Sequence, residues 1–318
     1  KLMQTMIEKA AGMPIVAPMH TYVRNAIKDL GIEAIMFDPD ISEEEMLALA
    51  KPNTKLVYGE TISNPLAMVL DFQKFSNVAK KLDVPLMVDN TFATPILCKP
   101  FELGANIVVH STSKYMDGHA VALGGIIVDG GNFNWDNGKF PDLVEPDESY
   151  HGVSYLKQFG EAAYITKARV QVMRNFGMTA SPFNAWLTNL GCESLHLRMR
   201  QHSDNALKIA KYLHDNEMCA WVKYPGLDDN KYYELAKKYL PNGCSGVMTF
   251  GVKGGRDASR KFINALKMVA LVTHVADART CVLQPASTTH RQLSDAELVA
   301  CGISPDMIRL SVGIEDAD

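Results

Sequence analysis

Residues Ala105 to His119, ANIVVHSTSKYMDGH, constrain the fold more than any other stretch of this chain. Asn106 to Val109 reads as a strand covered on both faces, the pattern of a parallel sheet packed between helices. Lys55 to Gly59 and Pro85 to Val88 read the same way, and Asp71 to Leu82, with apolar residues at helical spacing, predicts the helix between them. This is βαβ order, which implies an α/β fold with a mostly parallel sheet. Tyr155 to Arg174 has helical periodicity, and Phe183 to Leu190 opens a helix that runs on past Gly191 through Leu213 as a connector between lobes. Beyond about Cys219, strands at Val247 to Val252 and Ile308 to Val312 and a helix at Asp257 to Leu266 predict a smaller α/β lobe. The expected division is a large domain over 1–215 and a smaller one over 216–318.

Open parallel sheets bind ligands outside the carboxyl ends of their strands, so His110, Ser111, Thr112, Ser113 and Lys114 are expected in a crevice. Ser111 and Ser113 carry hydroxyls that can donate to phosphate oxygens. Lys114 has an ordinary pKa of about 10.4, so acting as nucleophile or base near neutrality requires desolvation, a neighbouring positive charge or condensation with an aldehyde. Upstream, Pro85 to Asn90 ends in Asp89, and a carboxylate there can keep a pyridine nitrogen protonated so that the ring accepts electrons. Singly, an acid after a strand is often a cap or turn residue and a loop lysine is usually solvated. Together these residues are the equipment for holding pyridoxal phosphate. Arg309, in IRLSVG, opens an apolar strand, where a charge requires a partner: the carboxylate of a substrate, through a bidentate bond, or an internal salt bridge. Asn64, in SNP, offers an amide to a cofactor phenolic oxygen or to a substrate carboxylate, or is a turn residue before Pro65.

Motifs in a fixed order extend this reading over most of the chain from Tyr22 onward. They are ETISNP at 60–65, VDNTF at 88–92, VVHSTSKYMDGH at 108–119, GGIIV at 124–128, SPFNAWL at 181–187, DNALKIA at 204–210, YPGL at 224–227, QPASTTH at 284–290 and IRLSVGIED at 308–316. In these the chain resembles the cysteine and methionine metabolism group of pyridoxal-phosphate enzymes, of fold type I and aminotransferase-like. The segment 132–177, with EPDESYHG followed by ITKARVQ, and the ending from Thr288 resemble the O-acetylhomoserine sulfhydrylases within that group. From its residues alone, that segment is a long polar loop suited to a surface or subunit contact. The resemblance implies Lys114 as catalytic and cofactor lysine, Asp89, Ser111, Ser113, Asn64 and Thr91 as cofactor residues, Thr91 against the ring face, and Arg309 with Asn64 at the substrate. It implies γ-replacement of acetate by sulfide, giving homocysteine, in a homotetramer. Methionine or cystathionine γ-lyases and γ-synthases share these residues, and a degenerate assembly subunit is the reading from another class.

Family members carry a longer segment before the counterpart of Tyr22, with a Tyr-x-Arg, a Ser-Gly-Met phosphate turn and a stacking tyrosine. Here Ala11-Gly12-Met13 faintly matches the turn, and Pro18 or Met19 stands where the tyrosine is expected. The expectation is a chain lacking part of that segment and, after Asp318, a final helix.

A net charge of −4 over 318 residues, with both signs mixed, gives no basic stripe for nucleic acid. No apolar run reaches the roughly 18 residues of a membrane helix and no signal peptide is visible, which points to the cytoplasm. The six cysteines and nine histidines show no metal-type spacing, so reduced thiols and no metal are expected. No G-x-G-x-x-G opens a helix, which argues against a nicotinamide dehydrogenase.

Overall fold

A computed structural model describes residues 15–16, 31–300 and 302–318. Ala11, Gly12, Met13, Pro18, Met19 and Tyr22, which carried the phosphate-turn and stacking expectations, lie outside the described residues.

The first sheet contains β1 (Ile15–Val16), β2 (Ala34–Ile35), β3 (Leu56–Glu60), β4 (Leu86–Asp89), β5 (Ile107–Ser111) and β6 (Gly125–Asp129), in the order β2-β1-β3-β4-β5-β6. All neighbours are parallel except β5 and β6. Successive side chains of a strand point to opposite faces, and both faces of this sheet are covered. On one, Val57, Leu86, Val88 and Val108 join Phe72, Phe75 and Val78 of α1 (Phe72–Lys81) in the larger core. Asp71 caps α1 by accepting the Lys74 N–H at 3.3 Å, and each large side chain buried there contributes roughly 1.5–3 kcal/mol.

Tyr58, Met87, Ile107 and Val109 occupy the opposite face, and they pack against Trp135, Leu143, Tyr155 and Ala163. The segment 132–177 is therefore part of the core rather than a polar loop. Ahead of Tyr155 its apolar residues are too widely spaced to show a period, but the segment's aromatic rings assemble, Trp135 stacking on Tyr164 with centroids 5.0 Å apart. The helix expected over 155–174 is broken into Tyr155–Phe159, a turn at Gly160–Ala162, Ala163–Lys167, a π-helical stretch at Ala168–Met173 and Arg174–Phe176. Gly160, at φ +54°, adopts a backbone conformation that a helix interior does not contain.

The expected long connector is two helices, α2 (Pro182–Glu193) and α3 (Leu195–Asp215). Ser194 separates them, its hydroxyl donating to Gly191 O at 3.5 Å and accepting Arg198 Nε at 3.0 Å. The second sheet contains β7 (Cys219–Lys223), β8 (Val247–Val252), β9 (Ala270–Leu271), β10 (Cys281–Leu283) and β11 (Met307–Ser311), in the order β7-β8-β11-β10-β9. It is antiparallel apart from the β10–β9 pair. Phe262 of α4 (Gly255–Ala265) meets Phe250 of β8 edge-on. No described helix is long and apolar enough to cross a membrane, and the cysteines among the described residues are free thiols.

One close approach ties this frame to the segment after β5. A Cβ on Gly191 of α2 would overlap the carbonyl oxygen of Met116 and lie 2.5 Å from that of Asp117. Alanine there gains about 1 kcal/mol of helix propensity, but the overlapping atoms are backbone and cannot rotate away. Gly191→Ala is expected to lower stability by about 1–3 kcal/mol net, read as a lower midpoint in urea unfolding.

Candidate active site

The ends of β3, β4 and β5, the turn after β5 and the middle of β11 build the site. β5 runs on through Ser111, beyond the expected end at Val109, because Ser111 pairs with Gly125 of β6. His110 therefore points away from Ser111, into the sheet's other face, where it is buried and its Nδ1 has no hydrogen-bond partner. Burial pulls the His110 ring down to about 4, so it is neutral at physiological pH. The residues after β5 form a tight turn in which Gly118 N donates to Lys114 O at 2.7 Å and Asp117 N to Thr112 O at 2.9 Å.

Arg198 of α3 holds that turn. Its buried guanidinium donates to Tyr115 O at 2.7 Å, Met116 O at 3.5 Å and Gly191 O at 2.6 Å. Lys114 is consequently fixed at its backbone while its amine has no hydrogen-bond or ion-pair partner among the described residues. Burial lowers the affinity of that amine for a proton, and the charge of Arg309 lowers it further. Both effects favour the nucleophilic, basic form.

Asp89 ends β4. Its Oδ1 accepts the Thr91 N–H at 2.9 Å and its Oδ2 the Tyr58 hydroxyl at 3.4 Å. Burial pushes the Asp89 carboxyl up, and the bonds from Thr91 and Tyr58 oppose this by stabilising the anion. Asn90 directs the chain away from the strand end: it accepts the Thr61 hydroxyl at 2.7 Å and donates to Thr94 O and Cys98 O, both at 3.0 Å. The Thr91 hydroxyl accepts Ser111 N at 2.8 Å, joining the ends of β4 and β5. The two serines differ. Ser113 Oγ accepts Gly124 N at 2.9 Å and donates to Gly124 O at 3.3 Å, whereas Ser111 Oγ has no bond among the described residues and is the freer donor for an anion.

Arg309, on β11, is 5 % exposed and has no acidic partner among the described residues. Its Nη2 donates to Thr273 O and His274 O, both at 3.0 Å, its Nη1 to Asn64 Oδ1 at 3.4 Å, and its Nε to nothing. Burial pulls the guanidinium down to about 10, which leaves it charged at neutral pH. An isolated buried cation is costly, and a carboxylate seated between Arg309 and Asn64 would offset that cost. The structure thus brings Asn64 to Arg309, and Thr91 and Ser111 to Asp89; Ser113 is turned into its own loop.

Sequence reasoning missed Tyr58, Glu60, Arg198 and His274. Tyr58 and Glu60 lie within or beside ETISNP, and a titratable residue at alternate positions of a buried strand was the available signal. His274 is a half-buried ring with Nε2 3.9 Å from Asp277 Oδ2, and burial and the Lys114 charge lower its pKa.

The donor set suits pyridoxal phosphate: a desolvated amine for an aldehyde, a carboxylate with two supporting donors for a ring N–H, a free hydroxyl for phosphate, and a cation without an anion. A sequence profile described as "Cys/Met metabolism PLP-dependent enzyme" matches residues 12–318. An O-acetyl-L-homoserine sulfhydrylase from Leptospira meyeri is 42% identical over 97% of this chain and 73% of its own length. A homocysteine synthase from Schizosaccharomyces pombe is 44% identical over 91% of this chain and 68% of its own. A solved structure of a putative O-acetylhomoserine (thiol)-lyase from Campylobacter jejuni, with N'-pyridoxyl-lysine-5'-monophosphate, superposes with a TM-score of 0.94. It is 33% identical, covering all of this chain and 77% of that one, and shares the expected fold type I architecture. By sequence, fold and donor set, this chain belongs to the Cys/Met metabolism family of PLP-dependent enzymes.

Proposed function

We propose that this protein is an O-acetylhomoserine sulfhydrylase, which replaces acetate at the γ-carbon of O-acetylhomoserine by sulfide to give homocysteine in methionine biosynthesis. The observation that carries the reading is a buried guanidinium without a counter-anion whose charge is felt by a desolvated lysine. An α-amino acid presents a carboxylate to the guanidinium and an α-hydrogen to the basic amine. The names of the similar proteins support the choice of acetyl ester and sulfide.

In this reading residues 1–215 form the cofactor lobe and 216–318 the smaller lobe, which contributes Arg309. Bound pyridoxal phosphate supplies an electron sink for the pair released at the α-carbon. Asp89 holds a proton on the ring nitrogen, with Thr91 and Tyr58 keeping its carboxylate oriented. Ser111 donates to the phosphate, and Ser113 shapes the loop that presents it. Arg309 and Asn64 bind the substrate carboxylate and orient the α-hydrogen towards Lys114. The Lys114 amine removes the α-proton and returns a proton after replacement, its lowered basicity matching this task near neutral pH. A second proton is then removed at the β-carbon, its C–H electrons forming a β,γ double bond as acetate leaves with the electrons of the C–O bond; sulfide adds at the γ-carbon, and protons return to the β- and α-carbons. We place the protein in the cytoplasm as a homotetramer.

The test supplies O-acetylhomoserine to the full-length holoprotein with and without sulfide. Homocysteine and acetate formed only with sulfide are expected. A 2-oxo acid and ammonia formed at equal rate without sulfide would make the protein a γ-lyase, and no product in either case would leave the assembly-subunit reading.

A further inference from the structure

Glu60 takes no part in the reaction described above, yet it stands beside Asp89, the acid that would hold the ring nitrogen. It is the cross-strand partner of Asp89 in the parallel β3–β4 pair, so both carboxyls leave the same face of the sheet at its carboxyl end. Their hydrogen bonds are unequal. Asp89 receives the Thr91 N–H on one oxygen and the Tyr58 hydroxyl on the other. Among the described residues Glu60 receives only the Asn64 N–H, at 3.3 Å on Oε2. The titratable groups around Glu60 are Tyr58 on its own strand, Asp89 on β4 and, across Asn64, the Arg309 guanidinium of β11. Among the described residues no lysine, arginine or histidine forms an ion pair with either carboxylate.

Two neighbouring carboxylates that lack a cation and are partly withdrawn from water disfavour double ionisation, and the proton goes to the one whose anion is less well solvated by donors. We infer that Glu60 is a positioning residue that holds this shared proton while the ring seat is empty and gives it up when a pyridinium N–H docks on Asp89. The seat then keeps one net negative charge in both states: Asp89 alone when empty, and Asp89 with Glu60 against the ring's positive charge when filled. Burial and the Asp89 charge push the Glu60 carboxyl up to about 8, in keeping with a protonated group at neutral pH. The inference rests on the assignment of Asp89 to the ring nitrogen.

The proton goes to solvent if the ring arrives protonated, and to the ring if it does not. Either way the wild type differs from Glu60→Gln, which cannot release one. The experiment is isothermal titration calorimetry of the full-length protein, stripped of cofactor, with pyridoxamine 5'-phosphate, which has no aldehyde for Lys114. Repeating it at neutral pH in buffers of different ionisation enthalpy counts protons. The wild type is expected to release about one more proton per site, or take up one fewer, than Glu60→Gln. Equal counts with intact binding overturn the inference but leave the cofactor seat standing, whereas no binding to either protein overturns the seat and the inference with it. Should the variant not fold, infrared difference spectra of the wild type decide: loss of a protonated-carboxyl stretch on loading supports the inference, and its absence overturns it.

Discussion

Replacing Lys114 by alanine is expected to abolish the visible absorbance that the protein acquires with pyridoxal phosphate and to lower turnover by at least about 10³-fold. In the proposed reaction the substitution removes both the amine that condenses with the aldehyde and the base that moves the α-proton. The fold should hardly notice. The turn is secured by the Gly118 N–H to Lys114 O bond and by Arg198 on the carbonyls of Tyr115 and Met116, none of which involves the lysine side chain. The amine also forms no bond that alanine would break, so the urea midpoint is expected to stay within about 1 kcal/mol of wild type. A Lys114→Ala protein that still develops the visible band would place the cofactor lysine elsewhere.

Arg309→Met should have the second largest effect, and of a different kind. Two charge-assisted bonds to a carboxylate are worth about 3–6 kcal/mol together, so kcat/KM for O-acetylhomoserine is expected to fall by roughly 10²–10⁴-fold, mostly through KM. The visible spectrum of the loaded protein should be unchanged if Arg309 serves the substrate rather than the ring, as proposed. Stability has two opposing terms: a buried cation without a counter-anion is removed, while the carbonyls of Thr273 and His274 lose their donor at about 1–3 kcal/mol. Arg309→Lys should recover only part of the loss, because an ammonium cannot serve two carbonyls and a carboxylate with the geometry of a planar fork. A normal KM in Arg309→Met would remove Arg309 from the substrate site.

Most of this site was legible in the sequence because its residues sit at the ends of apolar runs. Val88-Asp89 and Val109 onward mark where buried strands reach the sheet edge, and that edge is where an α/β fold binds ligands. The Val247–Val252 strand matches its expectation residue for residue, since both its faces are buried and its composition is uniform. What escaped was set by contacts distant in sequence. Ser111 and Ser113 look alike in STSK, and only the return of Gly124 to bond Ser113 separates them. Arg198 is one of several basic residues on an amphipathic helix, and nothing local shows that its fork reaches the turn 83 positions upstream. The part of the covering segment before Tyr155 read as a loop because its buried residues cooperate in a cluster of rings rather than with a period. Asn64 and Arg309 were assigned separately, and their meeting depends on how the two sheets are placed.

That placement depends on α3. Near its start Arg198 fixes the lysine turn, and one to two turns further His202 Nδ1 donates to Val312 O at 2.7 Å while Asn205 donates to Gly313 O at 3.1 Å and Glu315 O at 2.7 Å, just beyond Arg309. A single helix thus spaces the turn that carries Lys114 from the strand that carries Arg309, the groups proposed above for the α-proton and the carboxylate. Such a gauge measures only the invariant end of an amino acid. Everything beyond the α-carbon is left to side chains that α3 does not position, so substrate range can drift through those side chains without disturbing the gauge.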